Sequence, residues 1–235
     1  MEKFEKVEPD LVKVVEEKYP LGEVSLYRWI ISLIILNSSF FVLELFPDNK
    51  VFGILFLVWP IVSIFVLGHK AFRKLFKFPK LRDIPAVFGM TFLTLFAAVV
   101  SGIVLKRFGS VDNPIVKVIS KDNFNLVALM LLVQLVIEEI FFIVWFLFLY
   151  HKVKFKSEVL RESFAWVVSS LLFGAMHLST YDFNIVQAIV GIGLIRFVLS
   201  SIYIRRKNLT LAYMVHFLYD ILILLAVVAS GNIQS

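Results

Sequence analysis

The stretch VIEEIFF, residues 136–142, decides how this chain is interpreted, because it places Glu138 and Glu139 side by side within an apolar run. The run extends from residue 126 to residue 150, and Gln134 is its other polar side chain. A helix of about 25 residues, at about 1.5 Å per residue, is long enough to cross a bilayer core of about 30 Å. An acidic group there costs at least about 2.5 kcal/mol on insertion scales, so both glutamates need a compensating role.

The composition indicates a membrane protein. Of its 235 residues, 60% are hydrophobic, and 25 are Phe. Soluble domains average about 45–50% apolar residues, so the chain falls outside that class. Cysteine is absent, which excludes disulfides, thiolate metal sites and a cysteine nucleophile. We expect no removable signal peptide, because the first residues are polar and acidic.

Seven apolar runs predict an all-α, polytopic transmembrane bundle of about seven spans, within a range of six to eight. The runs cover residues 27–46, 51–68, 84–105, 126–150, 163–180, 183–204 and 211–229. We divide the chain into a polar N-terminal surface segment (1–24), N-terminal transmembrane helices (25–125), a second helical group (126–229) and a C-terminal tail (230–235).

The basic residues predict the orientation. Lys and Arg concentrate in the segments after the second, fourth and sixth runs, with one further basic segment after the third. The positive-inside rule therefore predicts a cytoplasmic N-terminus. The net charge of +6 is spread between the runs, so we expect the lipid bilayer, and no nucleic acid, as its partner. The short loops and the Lys- and Phe-rich composition suggest a microbial plasma membrane.

Few titratable side chains lie within the predicted spans, and ionisable groups at membrane depth generally face the bundle interior and pair with one another. They are Glu44, Glu138, Glu139, His177, Arg196, His216 and Asp220. Three helices thus contribute an acid or an imidazole to one predicted centre. Each histidine has a structural alternative as a helix-to-helix hydrogen bond.

Helical spacing refines this centre. His216 and Asp220 are four residues apart and share a helix face. Gln134 and Glu138 also stack on one face, whereas Glu139 points about 100° away. Glu138 is therefore the better candidate for a polar centre shared with His177. The run boundaries, however, put Glu138 roughly 18 Å and His216 roughly 8 Å from the cytoplasmic ends of their helices, at about 1.5 Å per residue.

Three ordered motifs resemble those of the CPBP family of intramembrane proteases, which includes the Ras-converting CAAX endopeptidase and the bacterial Abi proteins. They read Glu138-Glu139, Phe173-Gly-Ala-Met-His177 and His216-Phe-Leu-Tyr-Asp220. The resemblance covers about residues 126–229 and implies that this helical group is a catalytic core. It further implies that Glu138 and His177 activate a water molecule, while His216 and Asp220 stabilise the oxyanion. Asp220 could instead orient His216.

The chain departs from the family pattern at Ile143, where the first motif usually carries an arginine. Such an arginine would compensate a buried carboxylate one helical turn away. Arg196 lies mid-span without a charged neighbour in its own helix. We therefore predict an interhelical pair between Arg196 and Glu139, with Asp220 as the second choice of partner.

The same groups are compatible with two mechanisms, one that uses zinc and one that uses no cofactor. Imidazole and carboxylate ligands suit Zn²⁺, and a metal would be held by Glu138, His177 and His216. The chain lacks a His-Glu-x-x-His motif, so a glutamate-dependent protease without a cofactor is the favoured interpretation.

The predicted function is hydrolysis of a peptide bond in a membrane-associated peptide or protein. Prenylated CAAX proteins and signalling or bacteriocin-like peptides are all compatible substrates. One alternative, motivated by Ile143, is a catalytically silent relative with a regulatory or bacteriocin-immunity role. Another is a proton-coupled transporter with an acid and imidazole relay, disfavoured because no inverted repeat is evident.

Overall fold

The computed structural model describes residues 18–46 and 49–230, and all regular secondary structure in these ranges is helical. Residues 1–17 of the predicted surface segment, residues 231–235 of the predicted tail and the side chain of Glu44 lie outside the described residues. The α-helices are α1 (Leu26–Leu45), α2 (Lys50–Leu67), α3 (Ala71–Leu75), α4 (Ile84–Leu105), α5 (Ile115–Val118), α6 (Phe124–Lys152), α7 (Glu158–Ala175), α8 (Gly193–Arg206) and α9 (Leu209–Ala229). A π-helix, Val186–Ile192, leads directly into α8.

The predicted all-α membrane bundle is confirmed, and each of the seven apolar runs corresponds to a long helix of the described chain. Four helical stretches are long and apolar enough to cross a bilayer: Leu81–Phe108, Phe124–Lys152, Val186–Arg206 and Leu209–Ala229. Leu26–Val42 and Val51–Leu67 are shorter apolar helices. The number of spans therefore stays a prediction.

Helix α6 is the centre of the bundle, where it packs against α1, α2, α7 and α9. Its second half, from Leu135 to Tyr150, is mostly buried, whereas Leu126, Leu129 and Met130 near its start are exposed. Isoleucine and phenylalanine side chains around the two glutamates belong to the main hydrophobic cluster. The carboxylates are thus fixed on the most enclosed stretch of the fold.

Residues 18–24 differ from the predicted polar surface segment. The side chain of Tyr19 is fully buried, and its ring packs edge-on against Phe146 of α6. Leu21 and Val24 join the same hydrophobic cluster. Composition suggested a surface element because charged residues dominate this part of the chain, but its apolar side chains pack into the end of the bundle.

Helix α7 is displaced along the chain from its predicted run. It begins after Ser157, whose hydroxyl accepts a hydrogen bond from the Leu160 amide, and it ends at Ala175. His177 therefore lies in the turn beyond α7, and its predicted position inside the fifth span is wrong. The apolar run concealed this end, because apolar residues flank His177 on both sides although the backbone has already left the helix.

Gly174 allows α7 to approach the π-helix closely. A Cβ atom at this position would lie 2.4 Å from the carbonyl oxygen of Ala188 and 2.9 Å from that of Ile189. Backbone atoms cannot yield as a flexible side chain does, so the contact requires glycine. Small residues commonly allow such close packing between the helices of membrane proteins.

Gly174→Ala is expected to destabilise the protein by about 1–3 kcal/mol, the usual cost of overpacking a closely packed contact. Gly89→Ala in α4 is the matched control, because no atom lies within 4 Å of a Cβ built there. Thermal unfolding of both variants in detergent measures the difference. Equal melting temperatures for the two variants would show that the contact imposes no constraint.

Candidate active site

Arg196 of α8 and Glu139 of α6 form a bidentate ion pair in the middle of the bundle. The guanidinium Nη1 donates to Oε1 at 2.6 Å, and Nη2 donates to Oε2 at 2.7 Å. Both side chains are buried, with exposed fractions of 1% and 0%. The predicted interhelical pair is confirmed, and Asp220 is not needed as the second choice. Arg196 supplies the cation that Ile143 cannot provide.

Two aromatic rings enclose the guanidinium of Arg196. Its Cζ lies 4.3 Å from the ring centroid of Phe142 and 4.6 Å from that of Phe173. Aromatic faces attract a cation, and the attraction is stronger where water is excluded. The sequence does not predict this contact for Phe142. Because Phe173 opens the Phe-x-x-x-His motif, this motif supports the ion pair as well as presenting its histidine.

His216 of α9 joins the buried pair of Arg196 and Glu139. Its Nδ1 lies 2.9 Å from Oε1 of Glu139 and 3.4 Å from Nη1 of Arg196. A carboxylate oxygen accepts only, so Nδ1 carries a hydrogen and donates it to Glu139. Glu139 therefore receives hydrogen bonds from two other helices and fixes the orientation of the imidazole.

The free edge of the His216 ring faces two further carboxylates. Its Nε2 lies 3.8 Å from Oε2 of Glu138 and 3.7 Å from Oδ2 of Asp220. Glu138 also accepts a hydrogen bond of 2.9 Å from Nε2 of Gln134, as their shared helix face predicted. Asp220 and His216 stay close across one turn of α9. The Nδ1 side of the imidazole is thus held by Glu139, whereas its Nε2 side faces the two carboxylates and could take part in a reaction.

His177 reaches the same centre from the turn after α7. Its Nδ1 lies 2.9 Å from the carbonyl oxygen of Phe173, which can only accept, so Nδ1 carries the hydrogen. In the neutral ring the other nitrogen, Nε2, is then an acceptor. In the described chain no hydrogen bond or ion pair joins His177 directly to Glu138. The two instead line one cavity.

This cavity has a volume of about 780 Å³ and lies between α6, the turn after α7, α8 and α9. Its polar lining contains Glu138, His177, His216 and Asp220, and its apolar lining includes side chains of α1 and α2. The segment 113–116 closes part of it from the loop between α4 and α6. Concave, mainly apolar sites with a few convergent polar groups are typical of small-molecule and substrate sites.

Comparison with protein families matches residues 121–222 to the family described as Type II CAAX prenyl endopeptidase Rce1-like. The predicted family resemblance is confirmed. The matched segment holds all three sequence motifs and Arg196. No curated protein and no solved structure matches the chain.

The family match indicates a protease, and the long apolar helices together with this match indicate an integral membrane protein. The matched residues include every predicted site residue, namely Glu138, Glu139, His177, Arg196, His216 and Asp220. Their individual catalytic roles remain predictions.

The Rce1-like segment does not assemble the predicted zinc ligands. Over residues 18–46 and 49–230, no group of three or more His, Cys, Asp or Glu side chains could hold a metal ion. Glu138, His177 and His216 are therefore not arranged as a ligand set. A function without a cofactor remains a prediction.

Chelation is expected to leave peptide cleavage unchanged, because no three of the described His, Cys, Asp and Glu side chains are arranged to hold a metal ion. The measurement is the cleavage rate of purified protein in liposomes after EDTA treatment, with calcium-loaded EDTA as the control. Loss of activity that added zinc restores, together with about one zinc per chain, would contradict this prediction.

Sequence reasoning missed the polar residues that fix the loop between α4 and α6 against the rest of the bundle. Tyr181 lines the cavity and accepts a 3.2 Å hydrogen bond from Nδ2 of Asn113. Gln187 binds the backbone of Val111 twice, through its Oε1 and its Nε2, at 2.7 Å each. These partners are far apart in sequence, so no helical period relates them. A polar residue in an otherwise apolar run, such as Gln187, was the available signal.

Proposed function

We propose that this chain is an intramembrane endopeptidase of the CAAX protease type, which hydrolyses a peptide bond in a membrane-associated peptide or protein. The observation that carries the proposal is the cavity, where Glu138, His177, His216 and Asp220 meet within apolar walls. Peptide hydrolysis requires an activated water, a proton for the leaving amine and stabilisation of the oxyanion. The Rce1-like match supports a protease.

Glu138 and His177 are proposed to activate the water. The carboxylate of Glu138 and the acceptor Nε2 of His177 both line the cavity. As the water oxygen bonds to the carbonyl carbon, its proton passes to Glu138 and the carbonyl π electrons move to oxygen. When this intermediate collapses, the C–N bond breaks and the amine nitrogen takes the proton. Atoms and charge balance without a further reactant.

His216 is proposed to stabilise the charge that develops on the carbonyl oxygen. With Nδ1 committed to Glu139, a hydrogen on Nε2 makes the ring a cation that can donate into the cavity. Asp220, at 3.7 Å from Nε2, is placed to orient that ring. This supports the orienting role of Asp220 over direct donation, because an ionised carboxylate has no hydrogen to give.

The reaction is proposed to take place at a microbial plasma membrane. The basic segments after the second, fourth and sixth apolar runs support a cytoplasmic N-terminus, and the short loops and Lys- and Phe-rich composition support a microbial plasma membrane. The bilayer and a membrane-associated peptide are the proposed partners, and no cofactor is invoked.

The second candidate is a catalytically silent relative that regulates another membrane protein or confers bacteriocin immunity. Ile143 motivates it, because the motif arginine is missing. The Arg196 pair with Glu139 favours the enzyme, since it supplies the same compensation from another helix. A proton-coupled transporter is the third candidate and would show pH-driven flux in vesicles.

A comparison of membrane peptides in cells that express wild type or Glu138→Gln tests the proposal. A protease predicts peptides that accumulate uncleaved in the variant and are cleaved in wild type. Synthetic versions of those peptides, added to the purified wild type in liposomes, should be cut at the same bond. Identical peptide profiles would favour the silent relative or the transporter.

A further inference from the structure

The cavity contains a phenol whose bonding differs from that of the other polar groups. Tyr181 lies in a 3₁₀ turn, Ser179–Tyr181, which follows His177 closely. Its side chain is 7% exposed and lines the same cavity as Glu138 and Asp220. Neither the family motifs nor the helical pattern assigns this residue a role.

The bonding of Asn113 fixes which atoms meet at Tyr181. The Oδ1 atom of Asn113 accepts a 3.0 Å hydrogen bond from the Ile115 amide, so its Nδ2 must be the atom that faces the phenol. An amide nitrogen only donates, and the phenol oxygen therefore accepts. In the described part of the chain, the hydroxyl hydrogen of Tyr181 has no protein acceptor. It remains free for a group inside the cavity.

The phenol also keeps this hydrogen at neutral pH. Burial raises the pKa of Tyr181, the bond from Asn113 lowers it, and the nearby charges of Asp220 and Glu138 raise it, with a net increase. Tyr181 lines the same cavity as both carboxylates, so its hydroxyl faces the space of the proposed reaction centre.

Most of the charged and imidazole groups at this centre are acceptors or are already committed. Both terminal nitrogens of Arg196 bind Glu139, and Nδ1 of His216 does the same. His177 donates through Nδ1 to a backbone carbonyl. The carboxylates of Glu138 and Asp220 accept when ionised. An oxyanion needs donors that are already in position, and a fixed neutral hydroxyl meets this requirement.

We propose that Tyr181 is a further catalytic residue, whose hydroxyl donates a hydrogen bond to the oxyanion formed at the scissile carbonyl. Asn113 is a positioning residue that holds the phenol oxygen from the loop between α4 and α6. The assignment rests on the proposed protease function. The ionised carboxylate of Asp220 in the last motif cannot donate to an oxyanion. Tyr181 would therefore supply a neutral donor in addition to His216.

Kinetics of Tyr181→Phe test the assignment, with a synthetic peptide that wild type cleaves and Glu138→Gln does not. Loss of one oxyanion donor lowers kcat by about 10²–10³-fold, so we expect about a 100-fold loss with KM changed less than threefold. Tyr219→Phe removes a second cavity hydroxyl that has no such amide partner, and it should lower kcat far less. Melting temperatures check that both variants fold.

A double-mutant cycle separates catalysis from a structural tie. Asn113→Leu should lower kcat several-fold in wild type and have no further effect in Tyr181→Phe, because it acts through the missing hydroxyl. Multiplicative losses would show that Asn113 acts independently of the phenol and would overturn its positioning role.

The failures of the two proposals are distinguishable. If wild type cleaves and Tyr181→Phe matches it in kcat, or loses no more than Tyr219→Phe, the tyrosine assignment is wrong and the protease function stands. If no peptide is cleaved by wild type and left uncleaved by Glu138→Gln, the protease function is wrong. The tyrosine assignment is then wrong as well.

Discussion

Glu138→Gln is expected to lower kcat for peptide cleavage by about 10²–10⁴-fold, the range for loss of a positioned general base. Glutamine has nearly the same shape and can still bond Gln134, so the helix and its packing should persist. It cannot, however, take a proton from water. The loss should therefore fall on kcat rather than on protein folding.

Neighbouring acids cannot replace Glu138. Glu139 is fully buried and is occupied by Arg196 and His216. Asp220 lies on the opposite helix, close to Nε2 of His216. Neither of these acids is therefore positioned to replace Glu138. Removal of the Glu138 charge leaves the water without its proposed base.

Asp83→Asn is the matched control for Glu138→Gln. Asp83 is also a mostly buried acid, at 7% exposure, but it accepts from the Lys80 amide at the start of α4, outside the cavity. The same change from carboxylate to amide should leave kcat near the wild-type value. Full activity in purified Glu138→Gln would remove Glu138 from the proposed mechanism.

The ion pair could be predicted from sequence because charge balance alone required it. Arg196 is a cation inside an apolar run, and Ile143 leaves Glu139 without its usual partner. Few groups at membrane depth could satisfy either one. The helix face of Glu138 and its stacking with Gln134 followed from the helical period in the same way.

The depth of α9 could not be predicted from sequence. The boundaries of the apolar runs placed His216 and Glu138 at different levels, yet their side chains meet at 3.8 Å. Helix α9 begins inside the bundle, where Asn208 is 6% exposed and Leu209 is fully buried. Hydropathy marks where apolar residues start along the chain, but it does not mark how deep in the fold they start.

The contacts of the loop between α4 and α6 were also beyond sequence reasoning. Asn113 meets Tyr181 across 68 residues, and Val111 meets Gln187 across 76. Such contacts depend on how the loop between α4 and α6 folds over the bundle. No local period or propensity specifies that path.

Arg196→Leu is expected to destabilise the protein by about 3–5 kcal/mol, the cost of removing one partner from a buried ion pair. The penalty arises because Glu139 keeps its charge in an enclosed site and loses both bonds from the guanidinium. Phe142 and Phe173 also lose the cation between their rings. Thermal unfolding in detergent measures the effect.

Arg205→Leu is the matched control, because it removes an exposed arginine from the same helix. Surface substitutions usually change stability by less than about 0.5 kcal/mol, so this variant should melt like wild type. It also has the same loss of formal charge as Arg196→Leu, so a difference between them reflects burial and pairing.

Two further variants identify the unpaired carboxylate as the cause. Adding Glu139→Leu to Arg196→Leu should recover part of the stability, because an apolar pair of similar volume removes the uncompensated charge. Adding Ile143→Arg to Arg196→Leu should also recover part of it, since that position lies one helical turn from Glu139. If Arg196→Leu melts like Arg205→Leu, or if neither second change gives rescue, the pair does not hold the bundle together. A stability loss with rescue by both changes would instead show that α8 supplies the compensation for Glu139 that an arginine at position 143 would provide within the glutamate helix itself.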